Sequence, residues 1–452
     1  MSDTIAAVAT GAAVSAIGII RLSGEDAVKI VDTLFTPASG KPMADSRDRS
    51  LVYGTLHDGN GEVLDMCLCT VSHAPHSYTG EDTAELQCHG SPLVLRTALE
   101  AIFSLGARQA GPGEFTKRAF LNGRMELSSA EAVADLIDAE TRESARNAAA
   151  QLSGAIGAKI DGIYRKLADI SSHYHAVLDY PDEDIEDFTF AAYENTMRSS
   201  LKELRALLSS FEHGKILKSG IAAAIVGRPN AGKSSLLNAL LGYERAIVTP
   251  IAGTTRDTIE EKLHLGSLTL RLIDTAGLHD TTDTVERLGV ERSRRALESA
   301  DLVIAVVDAS GDITAEDADI ILNAELAPKG VLVLSKKDIS EKRLPIHTAL
   351  PTVSVSAVTG EGLDELEKVI ASLFPFPSVP AGEILTNARQ ADAVTRASEY
   401  LEAALSAMSA GMTPDIVLTE TEGAMQALGE LTGRTVREDV TDQIFRRFCV
   451  GK

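Results

Sequence analysis

The sequence contains no tryptophan, and aromatic residues together make up only 4% of it. Basic residues are also scarce, since 43 lysines and arginines face 65 aspartates and glutamates, which gives a net charge of −22. Because proteins bind nucleic acids through basic groups and stacked aromatic rings, this composition excludes broad, unaided binding to a phosphate backbone. Any contact with a nucleic acid therefore needs a local basic patch or a partner.

Cysteine is almost absent as well, and the four present are Cys67, Cys69, Cys88 and Cys449. Cys67 and Cys69 are two residues apart, with no C-x-x-C pair and no second ligand cluster in the neighbouring sequence. We therefore expect reduced thiols and no structural zinc site. The residues that follow Cys449 do not suit a prenylation motif.

Long apolar runs are missing too. No run reaches the roughly 18 residues of a membrane-spanning helix, and the N-terminus lacks the basic segment of a secretory signal peptide. We therefore expect no membrane span and a cytoplasmic protein.

One stretch carries a specific chemical signal. Residues Gly227–Ser234 read G-x-x-x-x-G-K-S, the P-loop pattern, between a predicted strand at Ile221–Val226 and a predicted helix at Ser235–Leu241. Backbone N–H groups of such a loop cradle phosphates, Lys233 reaches the β- and γ-phosphates, and Ser234 holds Mg²⁺. The alternative is a chance glycine loop, which the flanking strand and helix disfavour. The stretch predicts a nucleoside triphosphate site.

Residues 1–117 alternate short predicted strands and turns with two helices, which indicates an α+β module. The strands are expected at Ile5–Ala9, Ile17–Leu22, Leu51–Leu56 and Val63–Val71, and the helices near Gly24–Leu34 and Ser91–Leu105. Three polar groups stand out, at Arg21, Tyr78–Glu85 and Cys88–Gly90. On composition alone they indicate a charged edge strand and a surface turn, and no local pattern names a ligand.

The glycines and proline of Ala110–Thr116 mark a boundary, after which residues 118–217 are predicted to be helical. Ser128 and Glu131 have the spacing of a capping box that opens a helix. The apolar face of that helix is expected at Val133, Leu136 and Ile137. Pro181–Asp187 is acidic but lacks the spacing of a calcium loop, so we expect a solvated turn there.

Residues 218–376 alternate predicted strands and helices in a doubly wound α/β pattern. After the P-loop helix the elements are expected as a strand pair around Leu265–Gly266 and then at 302–307, 314–326, 330–335, 352–356 and 362–373. Residues 377–452 return to helix, with Val394, Ala397, Leu401, Leu405 and Met408 at helical spacing. Helices on both sides of the α/β unit predict that it is inserted into one helical domain.

Two motifs after the P-loop suit a triphosphate with Mg²⁺. Gly253–Asp257 offers threonines for the Mg²⁺ shell, of which we choose Thr255. Asp274–Gly277 follows an apolar strand, and its aspartate can hold Mg²⁺ through water while the Gly277 N–H contacts the γ-phosphate.

Two later motifs select the base. Ser335–Asp338 ends a predicted strand, and the Asp338 carboxylate can accept two hydrogen bonds from N1–H and N2–H₂ of guanine, a pair that adenine does not offer. The backbone of Ser356 and Ala357, after the last strand, can meet the guanine O6. Four ordered motifs in their proper strand contexts predict a GTPase.

The whole chain resembles the MnmE (TrmE) family of tRNA wobble-uridine modification GTPases. Besides the nucleotide motifs, the resemblance rests on Pro112–Asn122, Ala130–Ile137 and the closing Phe-Cys-Val-Gly-Lys motif. It implies a multidomain α/β protein with an α+β N-terminal folate-binding and dimerisation domain (1–117), an all-α helical domain in two parts (118–217 and 377–452), and an inserted Ras-like doubly wound P-loop G domain (218–376).

The resemblance also implies an activity. Members of the family hydrolyse GTP to GDP and phosphate in a potassium-dependent manner. As homodimers that join the FAD-containing MnmG in a heterotetramer or larger complex, they modify C5 of U34 in certain tRNAs. The one-carbon unit comes from a tetrahydrofolate derivative, 5-formyl- or 5,10-methylene-tetrahydrofolate.

The resemblance assigns site residues as follows. The folate contacts are Arg21, Glu85, Arg124 and Lys452, beside a terminal cysteine motif at Cys449. The Mg²⁺ ligands are Ser234 and Thr255, the potassium ligands are Asn230, Thr249, Ile251 and Thr254, and the catalytic glutamate is Glu286. The nucleotide contacts are Asn230, Ala231, Gly232, Lys233, Ser234, Ser235, Thr249, Pro250, Ile251, Ala252, Gly253, Thr254, Thr255, Asp274, Thr275, Ala276, Gly277, Ser335, Lys336, Asp338, Ser356 and Ala357.

Two positions depart from common patterns. Ser335 stands where the family usually has asparagine, and the serine side chain is shorter. We therefore expect the protein to keep its selectivity for guanine but to bind the nucleotide more weakly. The brace that asparagine gives the P-loop is in doubt. Leu278 stands where many GTPases have a water-orienting glutamine, which leaves Glu286 as the nearest candidate. The alternative roles are a helix-start carboxylate for Glu286 and a loop cap for Asn230.

Two competing functions remain. A ribosome-assembly or RNA-chaperone GTPase needs a basic RNA module, which this sequence lacks. A non-catalytic, GTP-gated folate scaffold differs from an enzyme only in its hydrolysis rate.

Overall fold

The computed structural model describes residues 3–179, 190–243, 261–266, 268–273, 299–339, 346–375, 379–435, 441, 444–446 and 448–451. The chain divides into two compact units. The first comprises residues 1–134, 149–204 and 392–452, and the second comprises 135–148 and 205–391. The sequence-predicted boundaries after residues 117, 217 and 376 stay predictions.

The strands are β1 Ile5–Val8, β2 Ser15–Ser23, β3 Phe35–Pro37, β4 Val52–His57, β5 Val63–Ser72, β6 Thr83–Gly90, β7 Arg108–Gln109, β8 Ile221–Val226, β9 Glu261–Leu265, β10 Leu268–Leu272, β11 Leu302–Asp308, β12 Gly330–Ser335 and β13 Thr352–Ser354. The helices are α1 Ala27–Leu34, α2 Pro92–Ser104, α3 Glu114–Leu121, α4 Leu127–Ile137, α5 Arg142–Leu152, α6 Ala155–Asp179, α7 Phe190–Ser209, α8 Phe211–Ser219, α9 Lys233–Tyr243, α10 Ala315–Leu326, α11 Leu363–Leu373, α12 Ala388–Ser409 and α13 Pro414–Thr432.

A seven-stranded sheet organises the start of the first unit, in the order β3-β4-β5-β6-β2-β1-β7. Its strands alternate buried and more exposed residues, so one face carries the apolar side chains that α1 and α2 cover. On the opposite face a small cluster around Phe115 of α3 packs under β1. Elsewhere on that face Ile17, Tyr53 and Met66 are exposed.

The position of β6 corrects the expected charged edge strand. β6 lies between β5 and β2, with antiparallel partners on both sides. Ala84, Leu86 and Cys88 alternate inward and are buried, which requires a covered face and two neighbouring strands. Glu85 therefore lies in the middle of the sheet.

Cys67 also has neighbours that the sequence spacing does not predict. Because β5 and β6 run antiparallel, Cys88 returns to the vicinity of Cys67, and one ligand atom each from Asp65, Cys67 and Cys88 lie within 4.8 Å of one another. The sequence around Cys67 does not reveal this group, because strand pairing rather than sequence proximity brings it together.

Helices from before and after the α/β segment pack together in the first unit. α6 packs along α13. His175 of α6 contacts Glu422 of α13 at 2.8 Å, and Arg434 contacts Asp161 at 2.8 Å. The α/β segment is therefore inserted between two parts of one helical region, as the sequence predicts.

The capping box predicted at Ser128 is wrong. α4 begins one residue earlier, at Leu127, so Ser128 already lies inside the helix and is buried. Leu127 is fully buried against Ala130 and Phe445, and this packing fixes the start of the helix. Ile137, expected on the buried face, is exposed.

The second unit contains a six-stranded sheet in the order β13-β12-β11-β8-β10-β9. All neighbours are parallel except the β9–β10 pair, which is antiparallel. α9 and α11 cover one face and α10 covers the other, which is the predicted doubly wound arrangement. Parallel strands place their carboxyl ends at one edge, where ligands bind in such folds.

Among the described residues, no helix combines the length and the apolarity that crossing a bilayer requires.

Candidate nucleotide site and N-terminal polar site

The P-loop connects β8 to α9 at the carboxyl edge of the six-stranded sheet. Asn230 has a φ of 63° and Gly232 a φ of 96°, so the chain turns sharply there before α9 begins at Lys233. A Cβ at Gly227 would lie 2.5 Å from the carbonyl oxygen of Val306, which explains the glycine at that position. The turn brings backbone N–H groups and the N-terminus of α9 together, as an anion site requires.

The Lys233 ammonium lies across this loop. Its Nζ donates to the carbonyl oxygens of Gly227 at 2.7 Å and Arg228 at 2.8 Å. These bonds hold the positive charge next to the turn, where it can neutralise phosphate oxygens.

Ser335 braces the P-loop from the end of β12. Its Oγ lies 2.5 Å from the carbonyl oxygen of Ala231 and 3.2 Å from that of Val307. A brace on the P-loop, which the sequence left in doubt, is therefore present with the Ser335 hydroxyl as its donor. Since Ser335 is buried, loss of this donor leaves a carbonyl oxygen without its partner.

A second brace holds the start of the loop. Arg228 Nε donates to Asp317 Oδ1 at 2.7 Å, and Asp317 also closes a capping box with Thr314 at the start of α10. Burial alone raises the pKa of Asp317, but the hydrogen bonds from Arg228 and Thr314 outweigh it and leave the pKa below its usual value. The carboxylate therefore stays charged at neutral pH and keeps Arg228 in place.

The two base-recognition motifs meet at the same edge. Ser356 Oγ donates to Asp338 Oδ1 at 2.7 Å and accepts from the Thr359 N–H at 3.1 Å. Lys336, with a φ of 60°, contacts Asp308 at 2.6 Å. Asp338 and Ser356, each predicted separately as a contact of guanine, are thus in direct contact, and this contact orients the carboxylate.

Several predicted site residues lie outside the described residues. They are Thr249, Pro250, Ile251, Ala252, Gly253, Thr254, Thr255, Asp274, Thr275, Ala276, Gly277, Glu286 and Lys452.

Arg21 and Glu85 form a polar pair in the seven-stranded sheet. They stand directly opposite each other on β2 and β6, and Arg21 Nε lies 2.8 Å from Glu85 Oε1. The guanidinium also lies over the rings of Tyr78 at 5.5 Å and Phe115 at 5.8 Å. The sequence singled out both residues but predicted neither their direct contact nor the two rings beside them.

Arg124 and the C-terminal segment approach this pair indirectly. Arg124 Nε donates to the Ser77 carbonyl oxygen at 3.1 Å, next to Tyr78. The exposed Cys449 accepts a hydrogen bond from the Gly113 N–H through its carbonyl oxygen. Gly451 then passes so close to Val8 that a Cβ on it would lie 2.3 Å from the Val8 carbonyl oxygen. Val8 is the neighbour of Ala7, which pairs with Arg21.

A cavity of about 470 Å³ lies beside α3, and neither Arg21 nor Glu85 lines it. Its wall includes Arg118, whose guanidinium contacts Glu81 at 2.9 Å and Glu114 at 3.1 Å. Burial raises the pKa of Glu114, but hydrogen bonds from Arg108 and Arg118 and from a backbone N–H outweigh it and bring the pKa to about 2. The wall is therefore a network of ionised groups at neutral pH.

Comparison with known proteins shows two matching family models and full-length relatives. A model of the MnmE helical domain matches residues 127–449, and a model of the GTP-binding protein TrmE N-terminus matches residues 4–124. The chain is 44% identical over 455 residues to the tRNA modification GTPase MnmE of Symbiobacterium thermophilum, covering 100% of this chain and 99% of the relative. It is 41% identical over 460 residues to the protein of that name from Clostridioides difficile, covering 100% of both. Among solved structures it is similar to Aquifex aeolicus Era bound to GDP and aluminium fluoride, with 29% identity over 39% of this chain and 65% of that chain and a TM-score of 0.26.

The brace from Ser335 yields a testable expectation. Ser335→Ala should weaken GDP binding by about five- to tenfold, because a hydrogen bond of this kind contributes on the order of 1 kcal/mol. Titration with a fluorescent guanine nucleotide measures the affinity. Ser372→Ala is the control, since that hydroxyl donates within its own helix to the Val369 carbonyl oxygen. Equal affinities for the Ser335 variant and the unaltered chain would contradict the role.

Proposed function

The chain belongs to the MnmE family of tRNA modification GTPases, and from this we propose that it hydrolyses GTP in order to modify C5 of the wobble uridine U34 of certain tRNAs. The observation that carries the proposal is the carboxyl edge of the six-stranded sheet, where the braced P-loop and the Asp338–Ser356 contact lie together. Family membership over the full length connects that GTP site to tRNA. The acidic composition requires that tRNA be bound through a local patch or with a partner, for which we propose an FAD-containing MnmG.

Each described residue of the nucleotide site has a specific task. The backbone N–H groups of the P-loop orient the phosphates, and Lys233 neutralises charge on the β- and γ-phosphates. Asp338, held by Ser356, accepts from N1–H and N2–H₂ of guanine, with the Ala357 backbone beside it.

Mg²⁺ suits the same site. The Ser234 hydroxyl stands in the first turn of α9, next to Lys233, and is the hard oxygen donor that this ion prefers. When bound, the ion neutralises the β- and γ-phosphate oxygens. Thr255 and, through water, Asp274 are the proposed further ligands.

The tRNA activity is tested by mass analysis of tRNA nucleosides. Cells that lack the protein should lose the C5-modified U34, and the unaltered gene should restore it. Lys233→Ala should not restore it, because the γ-phosphate loses its nearest positive charge. An unchanged nucleoside profile in the deleted cells would refute the proposal and would favour an RNA-chaperone GTPase. Restoration by a variant that hydrolyses no GTP would favour the folate scaffold.

We also propose that potassium assists hydrolysis. Asn230 is exposed in the P-loop with a left-handed backbone, so its amide oxygen is available to a monovalent cation beside the phosphates. Thr249, Ile251 and Thr254 are the proposed further ligands, since potassium prefers several neutral oxygens. A loop closed around the cation would also form a surface for a second G domain.

GTP turnover should therefore be faster in potassium than in sodium at equal ionic strength, and Asn230→Ala should abolish the difference. Glu286→Ala should bind GTP normally yet hydrolyse it far more slowly, because Glu286 is the proposed group that orients water. Equal turnover in the two salts, or stimulation that survives in Asn230→Ala, would exclude the potassium site. Unchanged turnover in Glu286→Ala would exclude that glutamate.

For the N-terminal unit we propose a tetrahydrofolate site at Arg21, Glu85, Arg124 and Lys452, with Cys449 beside it. Glu85 is a carboxylate that can accept from the amino and ring N–H groups of a pterin, and arginine suits the carboxylates of a glutamate tail. Tyr78 and Phe115 add flat rings next to Arg21. The same face of the sheet carries three exposed apolar side chains, Ile17, Tyr53 and Met66. We propose that a second copy of the chain packs on this face to form a homodimer. Measuring the molecular mass in solution tests this.

Calorimetry with 5-formyl-tetrahydrofolate tests the folate site. The full protein should bind, and Glu85→Ala should lose at least tenfold in affinity, since a partly buried, charged hydrogen-bond acceptor is lost. Glu100→Ala is the control, because that glutamate is exposed on α2 and pairs loosely with Arg96 at 4.0 Å. Absence of binding heat with the unaltered protein would remove the proposal.

A further inference from the structure

A cluster of metal-binding side chains lies in the seven-stranded sheet, apart from the nucleotide site and from the Arg21–Glu85 pair. Cys67 and Cys88 stand side by side on β5 and β6, and Asp65 is two residues before Cys67 on the same strand. One ligand atom from each of the three lies within 4.8 Å of the other two. Ligand atoms around a tetrahedral zinc ion lie roughly 3.5–3.8 Å apart, so the three side chains must close in by about 1 Å to bind one ion.

The cross-strand neighbours of the two cysteines are both glycines. Cys67 pairs with Gly54 on β4, and Cys88 pairs with Gly18 on β2. Neither glycine contributes a side chain on the core face, and the space above them is filled by Phe35 over Gly54 and by Leu95 over Gly18. Two sulfur atoms therefore lie next to each other in the core, in the cross-strand row Gly54–Cys67–Cys88–Gly18.

The carboxylate of Asp65 is already oriented toward this point. Its Oδ1 accepts from the Met66 N–H at 2.7 Å and from His89 Nδ1 at 2.8 Å, and its Oδ2 accepts from the His89 N–H at 2.8 Å. Carboxylates that bind metals are held by such outer hydrogen bonds. Oδ2, which accepts one hydrogen bond, retains a lone pair for an ion.

We propose that Asp65, Cys67 and Cys88 bind one thiolate-preferring divalent metal ion, with zinc the fitting choice. Two sulfur ligands and one carboxylate select zinc over magnesium or calcium, which prefer oxygen, and a water completes four ligands. On binding, each thiol loses one proton and the sulfur electron pair forms the metal bond. The two charges of the ion offset the two thiolates, so the net charge of the site stays at −1, that of the carboxylate alone. Metal binding therefore adds no net charge to the buried site.

Access to the site is from the exposed end of β5. Val63 is exposed at that end, and the His89 ring that bonds Asp65 is largely in solvent. An ion can reach Asp65 first and the sulfur atoms next. Because Asp65 lies on this route, it affects the affinity for the metal ion as a ligand. His89 affects the affinity indirectly, by positioning the Asp65 carboxylate.

Cobalt is the probe, since a cobalt–thiolate bond has a charge-transfer absorption that oxygen ligands do not give. The full-length reduced protein, freed of metal by a chelator, should bind one equivalent of Co²⁺ with this band, and zinc should displace it. The oxygen ligands of the nucleotide site cannot produce the band, so failure of this test and failure of the GTPase proposal are distinguishable.

Cys67→Ser and Cys88→Ser should each weaken cobalt binding at least tenfold and reduce the band, and His89→Ala should weaken binding about tenfold. Cys69→Ser and Cys449→Ser are the controls: Cys69 is buried on the same strand outside the cluster, and Cys449 is exposed. If a cysteine variant unfolds, Asp65→Asn is used in its place, because this change preserves the side-chain volume. The measurement is then the rise in Tm that zinc causes, which should be smaller in Asp65→Asn than in the unaltered protein. Absence of the band in the unaltered chain, a band that survives in Cys67→Ser, or loss of both thiols to a disulfide without metal uptake would overturn the proposal.

Discussion

The parallel register of the six-stranded sheet is the constraint on which the nucleotide site depends. β8, β11, β12 and β13 end at one edge, and pairing of Asp308 with Ser335 fixes how far β12 reaches along its neighbour. At that reach the Ser335 hydroxyl meets the Ala231 carbonyl oxygen. A shift of one residue would turn Ser335 to the other face of the sheet and remove the brace. The sheet thus positions both the phosphate end and the base end of the site.

The N-terminal sheet applies a similar constraint with a charged pair. Arg21 and Glu85 are about a quarter exposed, so their attraction is screened less than that of a surface pair. Each holds the other in one orientation before any ligand binds, and the rings of Tyr78 and Phe115 limit the guanidinium further. A ligand that binds there meets groups whose side-chain entropy has already been lost.

Much of this arrangement follows from local sequence. The period of the apolar residues predicts β8, β11 and β12 and the helices between them, because burial on two faces imposes a recognisable pattern. The nucleotide site is also predicted by local sequence, because each of the motifs containing Lys233, Asp338 and Ser356 spans only a few consecutive residues.

Non-local pairing explains what local sequence does not predict. The central position of β6 depends on β2, some 60 residues earlier in the chain. The brace from Ser335 depends on sheet register, and the wrong capping box at Ser128 reflects packing of Leu127 against Phe445, far along the chain. Cys88 next to Cys67 is likewise a product of strand order. A residue type and its spacing carry no information about such partners.

The contacts of the C-terminal segment have a consequence for synthesis of the chain. Gly451 packs against Val8, and Cys449 against Gly113, so residues made more than 300 positions later contribute contacts to β1 and to the turn before α3. At the usual rate of elongation, on the order of 5–20 residues per second, these contacts are missing from the nascent chain for tens of seconds. During that interval Val8 and Gly113 lack the neighbours that they have in the finished protein. The early part of the protein therefore reaches its final form only after the G domain has been made.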